Sequence, residues 1–190
     1  MKIILASASP RRKELLDQIG VRYDIKPVDM DESSQAGEAV EVLVKRLAYQ
    51  KAQTAWGQSD KKLPVLGADT LGVIDDQLLI KPKNYDHARQ MLMQLSGRSH
   101  TILTAVSLCH RGGVMHCLSK NKVIFKPLSD QEIENYWASG EPADKAGAYA
   151  IQGYGAVFIK HIEGSYSGVM GLPLYETQQL LTRVSAFNEC

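Results

Sequence analysis

The sequence predicts a mixed α/β fold, in which one twisted sheet of parallel and antiparallel strands carries flanking helices. Short apolar runs typical of strands alternate along the chain with segments whose apolar residues recur every three or four positions, as in helices. Two pairs of neighbouring strands are joined by turns, at residues 75–77 and 111–113, that are too short to hold a crossover helix. Because hairpins interrupt the alternation, a mixed sheet is favoured over a purely parallel one.

The predicted strands are apolar runs bounded by turn residues. They cover residues 2–6, 23–28, 63–68, 71–74, 78–80, 101–109, 114–125, 149–152 and 157–162. The predicted helices have an apolar stripe with start or stop signals at their ends. They cover residues 10–19, 38–55, 84–95, 129–139 and 172–184.

Local signals set the ends of several helices. Ser9 is typical of an N-cap, and Pro10 after it suits the first helical position. Ser129 and Glu132 form the S-x-x-E pattern of a capping box. Gly20 follows the first helix, where glycine commonly ends one.

Composition bounds the class of protein. The chain of 190 residues has no linker, repeat or low-complexity tract, so residues 1–190 are predicted to be a single domain with two lobes at most. A net charge of +1 argues against a nucleic-acid partner, and no apolar run is long enough to span a membrane. No signal-peptide pattern is present. Together with the odd cysteine count, this predicts a cytoplasmic protein. Cys109 and Cys117 are expected to be packed, reduced thiols, and the three cysteines, including Cys190, show no metal-binding spacing.

The first helix begins with a cluster of cations. Arg11, Arg12 and Lys13 lie in its first turn, where the helix dipole is already positive. Such a cluster is unfavourable unless an anion lies among the charges. With the hydroxyls of Ser7 and Ser9, it predicts a phosphate site. The alternative is a capped surface helix that is simply basic.

Two acidic positions are candidates for metal or base chemistry. Asp69 directly follows a buried strand, where side chains of open α/β sheets face the ligand. Glu32 lies in an acidic loop and could complete a hard-cation site, since Mg²⁺ takes one or two carboxylates plus phosphate oxygens. A turn-forming aspartate and a solvated loop are the alternatives.

The roles of three further polar residues depend on their surroundings in the fold. Lys51 lies beside a helical stripe and Lys81 precedes a proline, yet most lysines are surface residues. Gln152 offers both a donor and an acceptor to a nucleobase edge, although taken alone its setting favours a glycine-rich strand connection.

Read in order, these pieces form a more specific pattern. The motifs are Ser7-x-Ser9-Pro10-Arg11-Arg12, Gly67-Ala68-Asp69-Thr70, Lys81-Pro82, Lys145-Ala146-Gly147-Ala148-Tyr149-x-Ile151-Gln152-Gly153-x-Gly155, and Gly164-Ser165-Tyr166-x-x-Val169-x-Gly171-Leu172-Pro173-Leu174. Over residues 5–176 the chain resembles the Maf family of nucleoside triphosphate pyrophosphatases. The resemblance implies a fold related to the inosine triphosphate pyrophosphatases, with the site in a central cleft between two lobes. It also implies divalent-metal-dependent (Mg²⁺, Mn²⁺ or similar) cleavage of a nucleotide to its monophosphate and pyrophosphate.

The same resemblance implies roles for individual residues. Asp69 matches the family's proton acceptor and, with Glu32, is expected to bind the metal; Lys51 and Lys81 match catalytic pocket positions. Phosphate contacts are expected from Ser7, Ser9, Arg11 and Arg12. Arg11, Thr70 and Gln152 match the specificity positions, and their combination resembles the dTTP/UTP subgroup.

The expected partners are a pyrimidine nucleoside triphosphate and a second copy of the chain, as a homodimer. The alternatives are a non-catalytic nucleotide-binding regulator of cell division and a family member that prefers 7-methyl-GTP. Gly72 departs from the family pattern, in which a β-branched residue is usual.

Overall fold

The structure is a computed structural model that describes residues 1–187. Its strands are β1 (Lys2–Leu5), β2 (Arg22–Ile25), β3 (Val65–Ile74), β4 (Gln77–Leu79), β5 (Ser99–His110), β6 (Gly113–Phe125) and β7 (Ile159–Glu163). Its α-helices are α1 (Pro10–Gln18), α2 (Val40–Gly57), α3 (Tyr85–Leu95), α4 (Asp130–Ala138), α5 (Tyr166–Met170) and α6 (Leu174–Phe187). Short 3₁₀ turns cover Glu141–Asp144, Ala146–Ala148 and Tyr154–Phe158.

The strands form one mixed sheet in the order β2-β1-β3-β5-β6-β7, and β4 pairs with β3. β1 runs parallel to both β2 and β3, with Ile4 opposite Val65. The β3/β4 and β6/β7 pairs are antiparallel. The predicted mixed α/β class is therefore confirmed.

The chain divides into two compact units. The first comprises Met1–Thr70, Thr104–Ser119 and the segment from Gly171 onward; the second comprises Leu71–Leu103 and Lys120–Met170. In the first unit, α2 buries its apolar stripe, which includes Leu43, Val44 and Leu47. In the second unit, Phe125, Tyr136 and Phe158 lie in an apolar cluster with residues of α3 and α4.

The strand containing Asp69 is longer than predicted. β3 continues through residues 69 and 70, which were expected to separate two strands, because its start pairs with β1 and its end pairs with β4. Asp69 therefore lies within a strand and not at its end, so that prediction was wrong.

The region from 149 to 158 also differs from the prediction. Residues 149–152 form no strand, and β7 begins at Ile159 after a 3₁₀ turn. The N–H group of Ala150 donates to the Tyr136 hydroxyl, and those of Tyr154 and Gly155 donate to the Glu141 carboxylate. Because side chains take these backbone donors, the segment folds as an ordered loop.

Helix ends mostly follow their local signals. Ser129 and Glu132 form the full capping box, as predicted. Ser9 is the N-cap of α1 and Pro10 takes the first helical position, as predicted, although the Ser9 side chain makes no capping hydrogen bond. Cys109 and Cys117 are free thiols, whereas Cys190 lies outside the described residues. Within those residues, no helix is long and apolar enough to cross a membrane.

Candidate active site in the first unit

The core of the candidate site is a lysine that bridges two carboxylates. Lys51 Nζ lies 2.7 Å from Asp69 Oδ1 and 2.6 Å from Glu32 Oε1. Lys51 and Asp69 are buried, whereas the Glu32 side chain is 58% exposed. The site thus holds two negative groups around one positive group.

Close packing of α2 on β3 brings Lys51 to Asp69. A Cβ atom at Gly67 would lie 2.5 Å from the Ala48 carbonyl oxygen, so only glycine permits this approach. Alternate residues of a strand share a face, which places Asp69 on the same face as Gly67. Lys51 is one turn along α2 from Ala48 and therefore meets Asp69.

Arg12 is the centre of a second group of polar contacts. Its guanidinium donates from Nε to the Gly171 carbonyl oxygen (2.9 Å), from Nη1 to Ser7 Oγ (3.1 Å) and from Nη2 to Thr70 Oγ1 (3.2 Å). Arg12 is 9% exposed. These bonds use three of the five N–H donors of a guanidinium and leave two for an anion.

Burial changes the ionisation of both key groups. It raises the pKa of Asp69, while Lys51 and Arg12 oppose that rise. It lowers the pKa of Arg12, against the attraction of Asp69. Asp69 Oδ2 is buried without a hydrogen-bond partner among the described residues. A buried carboxylate oxygen without a donor is costly, so this atom marks a place for a ligand, a water or a cation.

Asp69 and Glu32 fit the demands of a divalent cation in part. Both carboxylates already face a common positive charge, and Asp69 retains an unused oxygen. Mg²⁺ is commonly held by one or two carboxylates, with the remaining ligands from water and substrate phosphate. No group of three or more acidic, histidine or cysteine side chains within residues 1–187 could hold a metal. The residues therefore suit a metal that arrives with a phosphorylated ligand.

The predicted site residues are distributed over both units. Ser7 is buried and accepts hydrogen bonds from Arg12 and from the Ser9 N–H group. Arg11 is half-buried, and its charge lowers the pKa of Arg12. Lys81 and Gln152 belong to the second unit, and both are exposed.

Two contact residues had no role in the sequence-based prediction. Thr104 Oγ1 donates to Thr70 Oγ1 at 3.0 Å, and the Gly171 carbonyl accepts from Arg12. Gly171 was part of a recognised motif, and its φ of +121° explains the need for glycine there. Thr104 lies in an apolar strand, and no sequence signal marks it.

The family model described as "Maf-like protein" matches residues 2–184, nearly the whole chain. The chain belongs to the Maf family. A "dTTP/UTP pyrophosphatase" of Pseudoalteromonas atlantica is 52% identical to it over 99% of this chain and 100% of the relative. Another protein of that name, from Pectobacterium atrosepticum, is 48% identical over 97% of this chain and 94% of the relative.

Among solved structures, the chain is similar to a nucleoside-triphosphatase/dITP/XTP pyrophosphatase from Mycobacterium abscessus. The identity is 17%, the TM-score is 0.45, and the alignment covers 66% of this chain and 74% of that chain.

Proposed function

We propose that this Maf-family protein is a dTTP/UTP pyrophosphatase that hydrolyses its substrate to the monophosphate and pyrophosphate. The observation that carries the proposal is the buried cluster of Asp69, Lys51 and Arg12, in which Asp69 Oδ2 has no hydrogen-bond partner within residues 1–187. Relatives that are 52% and 48% identical and bear the name dTTP/UTP pyrophosphatase support the substrate class.

The triphosphate binds through the cations and hydroxyls of the first unit. Arg12 offers its two remaining N–H donors from the first turn of α1, whose free backbone N–H groups also favour an anion. Ser7 holds the guanidinium of Arg12 in place. The Maf resemblance also implies phosphate contacts for Arg11, Ser9 and Lys81.

Asp69 and Glu32 are the residues that would hold a divalent cation such as Mg²⁺ or Mn²⁺. When bound, such a cation polarises the phosphoryl oxygens and lowers the pKa of a coordinated water. Lys51 neutralises the two carboxylates in the free protein and offers its charge to the phosphates in the complex.

Asp69 is placed to accept a proton. Because burial raises its pKa, Asp69 is a stronger base than an exposed aspartate. The oxygen of a water forms a bond to the α-phosphorus, the Asp69 carboxylate takes the proton, and the bond from that phosphorus to the bridging oxygen breaks. Arg12 and Lys51 stabilise the charge on the departing pyrophosphate.

Base selection is assigned to Thr70, Gln152 and Arg11. Uracil and thymine present acceptors at O2 and O4 and a donor at N3, which hydroxyl, amide and guanidinium groups match. Sites built on such hydrogen bonds reject ligands that leave their polar groups unpaired.

Pyrophosphate release tests the function. We expect hydrolysis of UTP and dTTP in the presence of Mg²⁺, loss of hydrolysis in chelator, and much slower hydrolysis of ATP, GTP and 7-methyl-GTP. Nucleotide binding without release, with or without metal, would instead indicate the non-catalytic regulator. Faster hydrolysis of 7-methyl-GTP would overturn the substrate but keep the reaction.

We further propose that the protein is a cytoplasmic homodimer. The Maf resemblance supports the dimer, and the cysteine usage supports a reducing compartment. Sedimentation of the purified protein tests the dimer, and fractionation of its native cells tests the location.

A further inference from the structure

Two donors converge on the hydroxyl oxygen of Thr70. Thr104 Oγ1, from β5, donates to it at 3.0 Å, and Arg12 Nη2 donates to it at 3.2 Å. Thr104 is 0% exposed, whereas Thr70 is half-buried. A ligand therefore has access to Thr70 but not to Thr104.

These contacts determine what the Thr70 hydroxyl can still do. A hydroxyl has one proton to donate and two lone pairs that accept. The donors of Thr104 and Arg12 occupy both lone pairs, so Thr70 can act toward a ligand only as a donor. Within residues 1–187, the structure shows no acceptor for that proton.

We propose that Thr104 is a positioning residue that fixes the Thr70 hydroxyl as an obligatory donor to an acceptor oxygen of the bound nucleotide. The inference rests on the proposed function, because it assigns the nucleotide to this site. The acceptor is either a carbonyl oxygen of the pyrimidine base or a phosphate oxygen. Both offer the same chemistry, and the experiment below separates them.

Backbone packing supports the restricted geometry of Thr70. A Cβ atom at Gly171 would lie 3.3 Å from Thr70 Oγ1 and 3.8 Å from Arg12 Nε. The glycine thus lets its segment lie directly against the Thr70–Arg12 pair. Confined between this segment and Thr104, the Thr70 hydroxyl has little freedom to rotate.

The decisive variant is Thr104→Val, which removes the hydroxyl but keeps the side-chain shape. We expect kcat/KM for UTP to fall about three- to tenfold, the value of one neutral hydrogen bond. Thr104→Ser should restore most of it. In a Thr70→Val background, Thr104→Val should cause little further loss, because its effect passes through Thr70.

Thr177→Val is the matched control. Thr177 is another 0% exposed threonine of the first unit, and its hydroxyl has no hydrogen-bond partner in the described part of the chain. Its replacement should leave kcat/KM unchanged. Thermal melts of every variant show whether it folds, and Thr104→Ala serves in the same cycle should Thr104→Val fail to fold.

Calorimetric binding identifies the acceptor and keeps the test separate from turnover. If Thr104→Val weakens UTP but not inorganic triphosphate, the acceptor is on the base; if it weakens both equally, the acceptor is a phosphate oxygen. Failure of the wild type to hydrolyse UTP would overturn the proposed function, while these binding measurements would still test Thr104. Unchanged binding and kinetics in folded Thr104→Val, additive losses with Thr70→Val, or no rescue by serine would overturn the inference.

Discussion

Asp69 in the first unit and Glu141 in the second show two different ways of placing a carboxylate in a folded protein. Glu141 accepts from the Tyr136 hydroxyl (2.6 Å) and from the N–H groups of Tyr154 (2.7 Å) and Gly155 (3.0 Å). Asp69 is more deeply buried and accepts from Lys51, and its Oδ2 has no partner among residues 1–187. The contacts of Glu141 satisfy its carboxylate and stabilise a loop, whereas those of Asp69 leave one carboxylate oxygen available for chemistry.

Their pKa values change in opposite directions for this reason. Burial alone would raise the pKa of Glu141, but the hydrogen bonds from Tyr136, Gly155 and Tyr154 outweigh burial and lower it. For Asp69, burial outweighs Lys51 and Arg12, and the pKa rises. Ionisation of Glu141 therefore favours the folded state, and ionisation of Asp69 opposes it.

The largest expected effect comes from Asp69→Asn. Loss of a general base costs roughly 10²–10⁴-fold in rate, and loss of a metal ligand should bring the effect to the upper end of that range. Because burial raises the pKa of Asp69, its ionisation lowers the stability of the wild type as pH rises above the ordinary pKa of 3.8, and Asp69→Asn should lose this pH dependence. Pyrophosphate release and urea unfolding at several pH values measure both effects.

Glu134→Gln is the control for this substitution, since it neutralises an exposed carboxylate of α4. It should change neither rate nor stability. Retention of more than about a tenth of wild-type activity by Asp69→Asn would contradict the assigned role, given the cost of a lost base.

The buried His100 in the second unit gives the next largest effect. Burial lowers its pKa from 6.5 to about 4, and its Nε2 lies 2.7 Å from the Tyr149 hydroxyl. The unfolded chain therefore binds a proton that the folded protein excludes between these pH values. Stability should fall by roughly 3 kcal/mol as pH decreases from 6.5 to 4, measured by urea unfolding.

The variant His100→Gln should lose most of this pH dependence, although it is less stable at neutral pH. His87→Gln, which changes a histidine of α3 outside the His100–Tyr149 pair, should keep the pH dependence. An equal pH slope in wild type and His100→Gln would show that other groups cause the change.

Glu141→Gln tests the satisfied carboxylate. We expect a loss of about 1–2 kcal/mol in the free energy of unfolding, because a neutral amide accepts hydrogen bonds more weakly than a carboxylate and brings a donor into the loop. The loss should disappear in acid, since the lowered pKa means that the stabilisation is present above the ordinary pKa of 4.5 and is lost as pH falls through the folded value. Urea unfolding at pH 7 and at acid pH measures this. An undiminished loss in acid would refute the charge-based account.

The same contacts explain how far the sequence could predict this molecule. The capping box of Ser129 and Glu132 is local, so its helix start was predictable. The loop around Gln152 was predicted as a strand from its local apolar run. That prediction failed because Tyr136 and Glu141 take the loop's backbone donors, and nothing near residue 152 shows this. Non-local hydrogen bonds are invisible to periodicity.

The residues of the candidate site likewise divide into those that the sequence predicts and those that only the fold shows. Asp69 was found because a short motif surrounds it, although its position within a strand was not predicted. Thr104 and Gly171 act through partners 34 and 159 residues away, on Thr70 and Arg12 respectively. Only the folded chain brings these residues together.

The smallest expected effect concerns an unpaired polar atom that carries no charge. Among the residues that the structure describes, Thr177 Oγ1 in α6 is buried without a hydrogen-bond partner, as Asp69 Oδ2 is, but a hydroxyl in this position has no role in the proposed chemistry. Thr177→Val should therefore raise the free energy of unfolding by up to about 1 kcal/mol, because it removes an unsatisfied buried group without opening a cavity. For a chain of this size, that corresponds to about 2–4 °C in melting temperature, measured by calorimetry.

Ser185→Ala is the control. The Ser185 hydroxyl donates to the Leu181 carbonyl in the same helix, so its removal should bring no gain in stability. A destabilised Thr177→Val would mean that the Thr177 hydroxyl forms a hydrogen bond in solution. Asp69 would then be the one example left for the contrast between unpaired atoms that serve chemistry and unpaired atoms that only lower stability.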